Sequence, residues 1–127
     1  AGSERGLARL EGVDICDDTT ILDATDGLAC YDAIHAMTDG NLADVVINCV
    51  NVPNTEMASI LVTCEDGILY FFSMDTSFTK AALGAEGIGK DITMIIGNGY
   101  AKNHAEIALD ILRRSPKIRA LYENLYA

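Results

Sequence analysis

The sequence predicts an α/β fold: a parallel sheet of about four strands with flanking helices. Three runs carry this reading: ADVVINCV (43–50), GILYFFS (67–73) and DITMIIG (91–97). Each is almost unbroken in apolar residues and lacks in/out alternation, as expected of parallel strands covered on both faces. A second observation is that segments of helical period lie between and around these runs. Strands alternating with helices imply parallel pairing.

The elements follow in order. Ser3 to Leu10 reads as a short helix end stopped by Gly12. Thr19 to Thr25 is β-branched and apolar before turning polar, and predicts the first strand, 19–25. From Gly27 to Met37 the apolar Leu28, Tyr31, Ile34 and Met37 recur at three-residue steps, the period of a helix. After 43–50, NVPNTEMASILV gives a turn and a short helix, with Thr55 as its expected cap. EDG turns the chain into 67–73. Asp75 to Lys90 reads as a polar, glycine-bearing loop before 91–97. Asn103 followed by Glu106 has the spacing of a capping box opening a helix to Arg114. Ser115-Pro116 then suits the cap and first position of a last helix. Its apolar stripe is Ile118, Leu121, Tyr122 and Leu125.

The chain has 127 residues, enough for one domain, with 50% hydrophobic and 22% charged residues. Its net charge of −10 argues against binding nucleic acid or an anionic membrane surface. No apolar run approaches the ~18 residues of a membrane span. The opening AGSERGLARL has no signal-peptide core and looks like the tail of a helix. It is expected to begin in mid-protein.

The four cysteines, at 16, 30, 49 and 64, form no C-x-x-C pair and read as free thiols, mostly buried, in a reducing cytoplasm. The two histidines fall on different predicted helices, so no metal site is expected. GAEGIGK (84–90) fails the phosphate-loop pattern, because Lys90 is followed by Asp91 and a strand. There is no G-x-G-x-x-G, and no G-x-S-x-G elbow surrounds Ser73 or Ser77. Asp23 and Asp26 suit either a ribose or adenine contact or capping of the helix at Gly27.

In parallel sheets ligands lie beyond the C-terminal strand ends. Those ends are Asp23-Ala24-Thr25, Cys49-Val50-Asn51, Phe72-Ser73-Met74 and Gly97-Asn98-Gly99. Gly97 and Gly99 suit either a tight strand-to-helix turn or close approach of a ligand to the backbone.

Two stretches resemble the medium-chain dehydrogenases. ADVVINCVNVPNTEMASILVTCEDGILYFFSM is similar to their fourth and fifth strand region, and DITMIIGNGYAKNHAEIALDILRRSP to their sixth strand and following helix. Within that superfamily FFSMDTSFTKAALGAEGIGKDITMIIGNGY most resembles the 3,5-diaminohexanoate dehydrogenases of anaerobic lysine degradation. The resemblance spans roughly residues 4–120. It implies the C-terminal part of a Rossmann-type, dinucleotide-binding domain over 1–127. The catalytic domain and the glycine-motif strands are not in this sequence. It also implies NAD as cofactor, a diamino-acid substrate and a homo-oligomer. The implied reaction is oxidative deamination of 3,5-diaminohexanoate to 5-amino-3-oxohexanoate. On strand-end position, Asp23, Ala24 and Thr25 would flank adenine. Cys49, Val50 and Asn51 would line the nicotinamide-ribose side. Phe72, Ser73 and Met74 would meet the nicotinamide, and Gly97 and Asn98 would close the crevice. The long segment 75–90 is expected at a subunit contact.

In the complete fold, strand order 3-2-1-4-5-6 would separate the 19–25 strand from the 43–50 strand by about 14 Å, three inter-strand steps. Either further strands fill that gap in a longer protein, or the 19–25 strand slides in beside 43–50. The alternative to an enzyme part is a stand-alone, non-catalytic α/β binding or oligomerisation domain.

Overall fold

A computed structural model describes residues 1–97 and 99–126. The chain forms two compact units, Leu22–Asn98 and a second made of Ala1–Ile21 with Gly99–Ala127.

The first unit holds an open parallel sheet in the order β1-β2-β3, with β1 Ala43–Asn48, β2 Thr63–Phe71 and β3 Thr93–Ile96. Register aligns Asn48 with Phe71 and Phe71 with Ile96, so the three strands end in one row. The α/β, partial Rossmann-like character expected of the sequence is present, with three strands rather than four. Residues 19–25 form no strand. Their backbone is diverted by local bonds: the Asp23 carboxylate accepts from the Thr25 N–H at 2.9 Å and its hydroxyl at 2.7 Å. Asp26 N–H then donates to Asp23 O at 3.0 Å. Aspartate's affinity for its own neighbouring backbone here overrides β-propensity. A 19–25 strand slid in beside β1 is therefore not formed. Among the described residues no strand pairs with the outer edge of β1.

Helix α2 spans Gly27–Met37, with Asp26 as cap: its carboxylate accepts from Ala29 N–H at 3.0 Å. Helix α3, Glu56–Val62, runs straight into β2. Thr55 makes no side-chain cap for it; its hydroxyl accepts from Asn48 instead. Helix α4, Phe78–Ile88, replaces the expected loop over 75–90. Ser77 caps it, accepting from Lys80 N–H at 3.3 Å, and Gly89 closes it in the left-handed region at φ 70°, where glycine is least strained. Gly84 lies in the buried face of α4, where a Cβ would come within 3.1 Å of Ile60 Cδ1. Gly84, one of the glycines that argued against a helix, therefore allows close helix packing.

The core is Ile60, Leu69, Phe71 and Ala81, flanked by Val46, Ile88, Met94 and Ile96. It lies on one sheet face, under α3 and α4. On the other face Val45, Ile47, Ile68, Phe72 and Ile95 are exposed, Ile47 by 62%. Apolar runs expected to be covered on both faces thus alternate between covered and open.

Lys90 stitches this layer together. Its ammonium donates to Leu61 O at 2.9 Å, Thr63 O at 2.5 Å and Ile60 O at 3.4 Å. These carbonyls end α3, where backbone acceptors lack helical partners. Burial pushes the Lys90 amine below its ordinary pKa, opposed by the charges of Glu65 and Cys64.

The second unit is helical: α1 Glu4–Val13, α5 His104–Arg114 and α6 Pro116–Tyr126. Ser115 caps α6 as expected, accepting from Ile118 N–H at 3.3 Å. The capping box at Asn103 is not formed. Asn103 is itself left-handed, at φ 64°, and its side chain makes no cap bond. α1 packs on α6, with Lys117 Nζ 2.9 Å from Asp14 Oδ2.

Candidate functional site

The aligned strand ends place residues 49–51, 72–74 and 97 along one edge of the sheet. A polar network fixes that edge. Asn48, buried at the end of β1, donates to Thr55 Oγ1 at 2.8 Å and Ser59 Oγ at 2.9 Å, and accepts from Val50 N–H at 2.9 Å. Phe72 N–H donates to Asn48 O at 2.9 Å, extending the pairing one step beyond β2. Ser73 Oγ then donates to Asn51 Oδ1 at 3.2 Å and accepts from Asp75 N–H at 3.1 Å. Across the next gap, Tyr70 OH donates to Gly97 O at 3.4 Å. The buried Glu56 carboxylate accepts from Ser77 N–H at 2.6 Å, holding the start of α4 against that of α3. Lys80 Nζ donates to Asn54 Oδ1 in the same region.

Beyond β2 and β3 opens a cavity of about 140 Å³, lined by Phe71, Ser73, Met74, Thr76, Phe78, Ile96 and Gly97. Its walls are mostly apolar and its polar atoms come from the turn between β2 and α4. A second, shallower groove of about 180 Å³ runs between α2, α3 and β1. Leu22, Ala24, Cys30, Ile34, Val46 and Val50 are among its walls.

The predicted site residues divide as follows. Ser73, Met74 and Gly97 meet in the first cavity, and Asn51 is tied to it through Ser73. Ala24 and Val50 share the second groove. Asp23 and Thr25 bond to each other in an exposed turn, and the Thr25 hydroxyl and N–H hold the Asp23 carboxyl below its usual range. Cys49 is exposed and lines neither space. Phe72 is on the opposite strand face, its ring 5.9 Å from that of Tyr70. Asn98 lies outside the described residues. Gly97 is not in the left-handed region, and nothing lies within 4 Å of where its Cβ would be. The open space beside it belongs to the cavity.

Sequence reasoning missed Thr76, Asn48 and Glu56. Asn48 had a signal, a lone amide inside an apolar strand run. Thr76 had none beyond its position a few residues past a strand end.

Two of the thiols, Cys30 and Cys64, are held above their ordinary pKa. Burial raises Cys30, helped by the charges of Asp26 and Asp23. Its thiol donates to Asp23 O at 3.3 Å. Cys16 and Cys49 are exposed and Cys64 is partly so, where burial had been expected of most. Among the described residues no group of three or more His, Cys, Asp or Glu side chains could hold a metal ion. No helix among them is long and apolar enough to cross a membrane.

A parallel sheet with a cavity at its C-terminal edge is the arrangement in which open, Rossmann-like α/β folds take ligands. No family model matches the chain. Among curated proteins it is similar to L-erythro-3,5-diaminohexanoate dehydrogenase of Acetoanaerobium sticklandii, with 53% identity over 98% of this chain and 36% of that protein. It is 57% identical, over 84% of its length, to 31% of the enzyme of the same name from Fusobacterium nucleatum. The chain thus spans about a third of the length of these relatives.

Proposed function

We propose that the chain is the C-terminal part of the NAD-binding domain of a 3,5-diaminohexanoate dehydrogenase acting in the cytoplasm in lysine fermentation. The supporting observation is 53% identity over nearly the whole chain to a protein of that name. The cavity at the strand ends supports it, being the place where such sheets take a dinucleotide. The cavity has mostly apolar walls, and Thr76, whose buried Oγ1 has no hydrogen-bond partner, is among its lining residues, a setting that fits a nicotinamide. Ser73, Thr76 and Gly97 would hold that head, and Ala24 and Val50 would border the adenosine half.

NAD bound there supplies a hydride acceptor. In the complete enzyme the amine-bearing carbon gives up a hydride, its nitrogen loses a proton, and water converts the imine to a ketone with release of ammonia. The residues of this chain bind and orient.

A homo-oligomer contact through α4 fits Phe78 and Leu83, which are 68% and 63% exposed on that helix. Size-exclusion of a Phe78→Asp, Leu83→Asp variant tests it; an unchanged oligomer refutes it.

The test of function is NADH titration by fluorescence, followed by assay of the complete enzyme for NAD reduction with L-erythro-3,5-diaminohexanoate. Saturable binding and substrate-dependent ammonia release are expected. Binding without turnover of the diamino acid by the complete enzyme would favour the non-catalytic binding-domain reading.

A further inference from the structure

We propose that Glu56 is a positioning residue for the dinucleotide: from the start of α3 it fixes the far end of the turn between β2 and α4, and so the cavity wall that this turn supplies. The inference rests on the NAD-binding reading above and adds to it a residue outside the cavity's lining. Glu56 is only 3% exposed, and its carboxylate accepts from the Ser77 N–H at 2.6 Å. Burying a carboxylate is costly unless strong hydrogen bonds compensate. Here a charge-assisted bond contributes, at the positive end of the α4 dipole.

The turn is attached at both ends. At its near end Phe72 N–H donates to Asn48 O at 2.9 Å, and Ser73 Oγ to Asn51 Oδ1 at 3.2 Å. At its far end stands the Glu56–Ser77 bond, and one turn further along α4 Lys80 Nζ donates to Asn54 Oδ1. Ser73, Met74 and Thr76, between the two attachments, line the cavity. Both attachments lead back to residues 48–56, so the segment after β1 sets where the segment after β2 lies. Further along the helices, packing fixes the spacing: a Cβ on Gly84 would come within 3.1 Å of Ile60 Cδ1. The body of α4 is thus held by contact and its start by Glu56. Removing the Glu56 bond frees the turn while the helix stays in place.

The test uses the full-length enzyme with Glu56→Ala, which removes the acceptor, Glu56→Asp, which withdraws it by one methylene, and Glu56→Gln, which keeps an oxygen in place. Hydrogen exchange reads residues 73–77 in the apo enzyme. NADH affinity is read by fluorescence, ADP-ribose affinity by calorimetry, and kcat with the diamino acid. ADP-ribose lacks the nicotinamide. In Glu56→Ala, exchange over 73–77 should rise about 10-fold and NADH weaken about 5–10-fold, the scale of one lost charge-assisted bond. The kcat should fall about 10-fold or more, because a hydride acceptor held loosely spends less time in line with its donor. ADP-ribose should stay within about 2-fold, since the freed turn does not hold it. Glu56→Asp should show the same pattern to a smaller extent, and it decides the matter should Glu56→Ala not fold. Glu56→Gln should resemble wild type. Unchanged NADH affinity and kcat in Glu56→Ala and Glu56→Asp overturn the role of Glu56 and leave the dinucleotide reading standing. Equal weakening of NADH and ADP-ribose, or faster exchange throughout β1 and β2, gives Glu56 a structural role alone and overturns it too. Failure of wild type to bind either ligand removes the reading beneath it.

Discussion

Replacing Lys90 with Met should destabilise the sheet-bearing unit far more than a partly exposed lysine ordinarily would. The Lys90 ammonium makes two good bonds, to Leu61 O and Thr63 O, and a longer one to Ile60 O. Ile60 O has a second partner, the Thr63 N–H, so it is left paired in the variant. Leu61 O and Thr63 O lose their cation. A hydrogen bond to a charged group is worth about 1.5–3 kcal/mol, so two are worth roughly 3–6. Against this stands the desolvation of the ammonium, whose sign is visible in the lowered Lys90 pKa. Because the lowered pKa says that desolvation outweighs the charge-assisted gain, the expected loss is that of carbonyls left without a donor, about 1–3 kcal/mol. Urea unfolding of wild type and Lys90→Met measures it directly. The pH dependence has a sign as well. The folded pKa lies below the unfolded one, so the unfolded state binds more protons in the interval between them. Lys90 should therefore make stability rise as pH climbs through that interval, and the slope should vanish in Lys90→Met. A variant within about 0.5 kcal/mol of wild type, the range of an ordinary surface substitution, would refute the reasoning.

Other substitutions separate packing from propensity. Gly67→Ala would set a Cβ 2.7 Å from Thr63 Cγ2 and 2.9 Å from Cys64 O, so a loss of about 1–3 kcal/mol is expected on urea unfolding. Gly87→Ala, in the interior of α4 with nothing within 4 Å of its Cβ, should gain about 0.5–1 kcal/mol in the same assay. Asn48→Leu strands the Thr55 hydroxyl and the Val50 N–H, while Ser59 Oγ keeps its bond to Thr55 O, and should cost about 1–3 kcal/mol and loosen residues 49–51, read by hydrogen exchange. The hydrogen bond from Lys117, then its charge, holds the Asp14 carboxyl below its ordinary pKa. Its contribution is present above the unfolded carboxylate pKa and is lost as pH falls through the folded one. Carbon-detected titration should find Asp14 low in wild type and ordinary in Lys117→Met.

Most of the fold was legible because apolar run length and turn residues are local. The strands at 43–50, 67–73 and 91–97 were found within a few residues, although β2 starts at Thr63, directly after α3. Two elements were misread, each for a physical reason. Thr19 to Thr25 has strand composition, but Asp23 bonds to Thr25 and turns the backbone. Residues 78–88 have glycines that suggest a loop, yet one of them exists to meet Ile60. The strand-end rule located the cavity edge without resolving its two faces. Adjacent residues such as Phe72 and Ser73 part company there, and register is a tertiary property. Thr76 was illegible because a buried hydroxyl without a partner can be recognised only once every neighbour's bonds are known.

The sheet leaves one long side of β1 unpaired among the described residues, next to an apolar face on which Val45 and Ile47 are exposed. That combination is a template for adhesion between copies. For this chain taken by itself, the net charge of −10 opposes such adhesion. Colloidal behaviour should therefore follow acidity and salt more closely than it follows thermal stability. Near the chain's isoelectric point of about 4.3 that repulsion disappears, so precipitation of the isolated chain is expected to be greatest there.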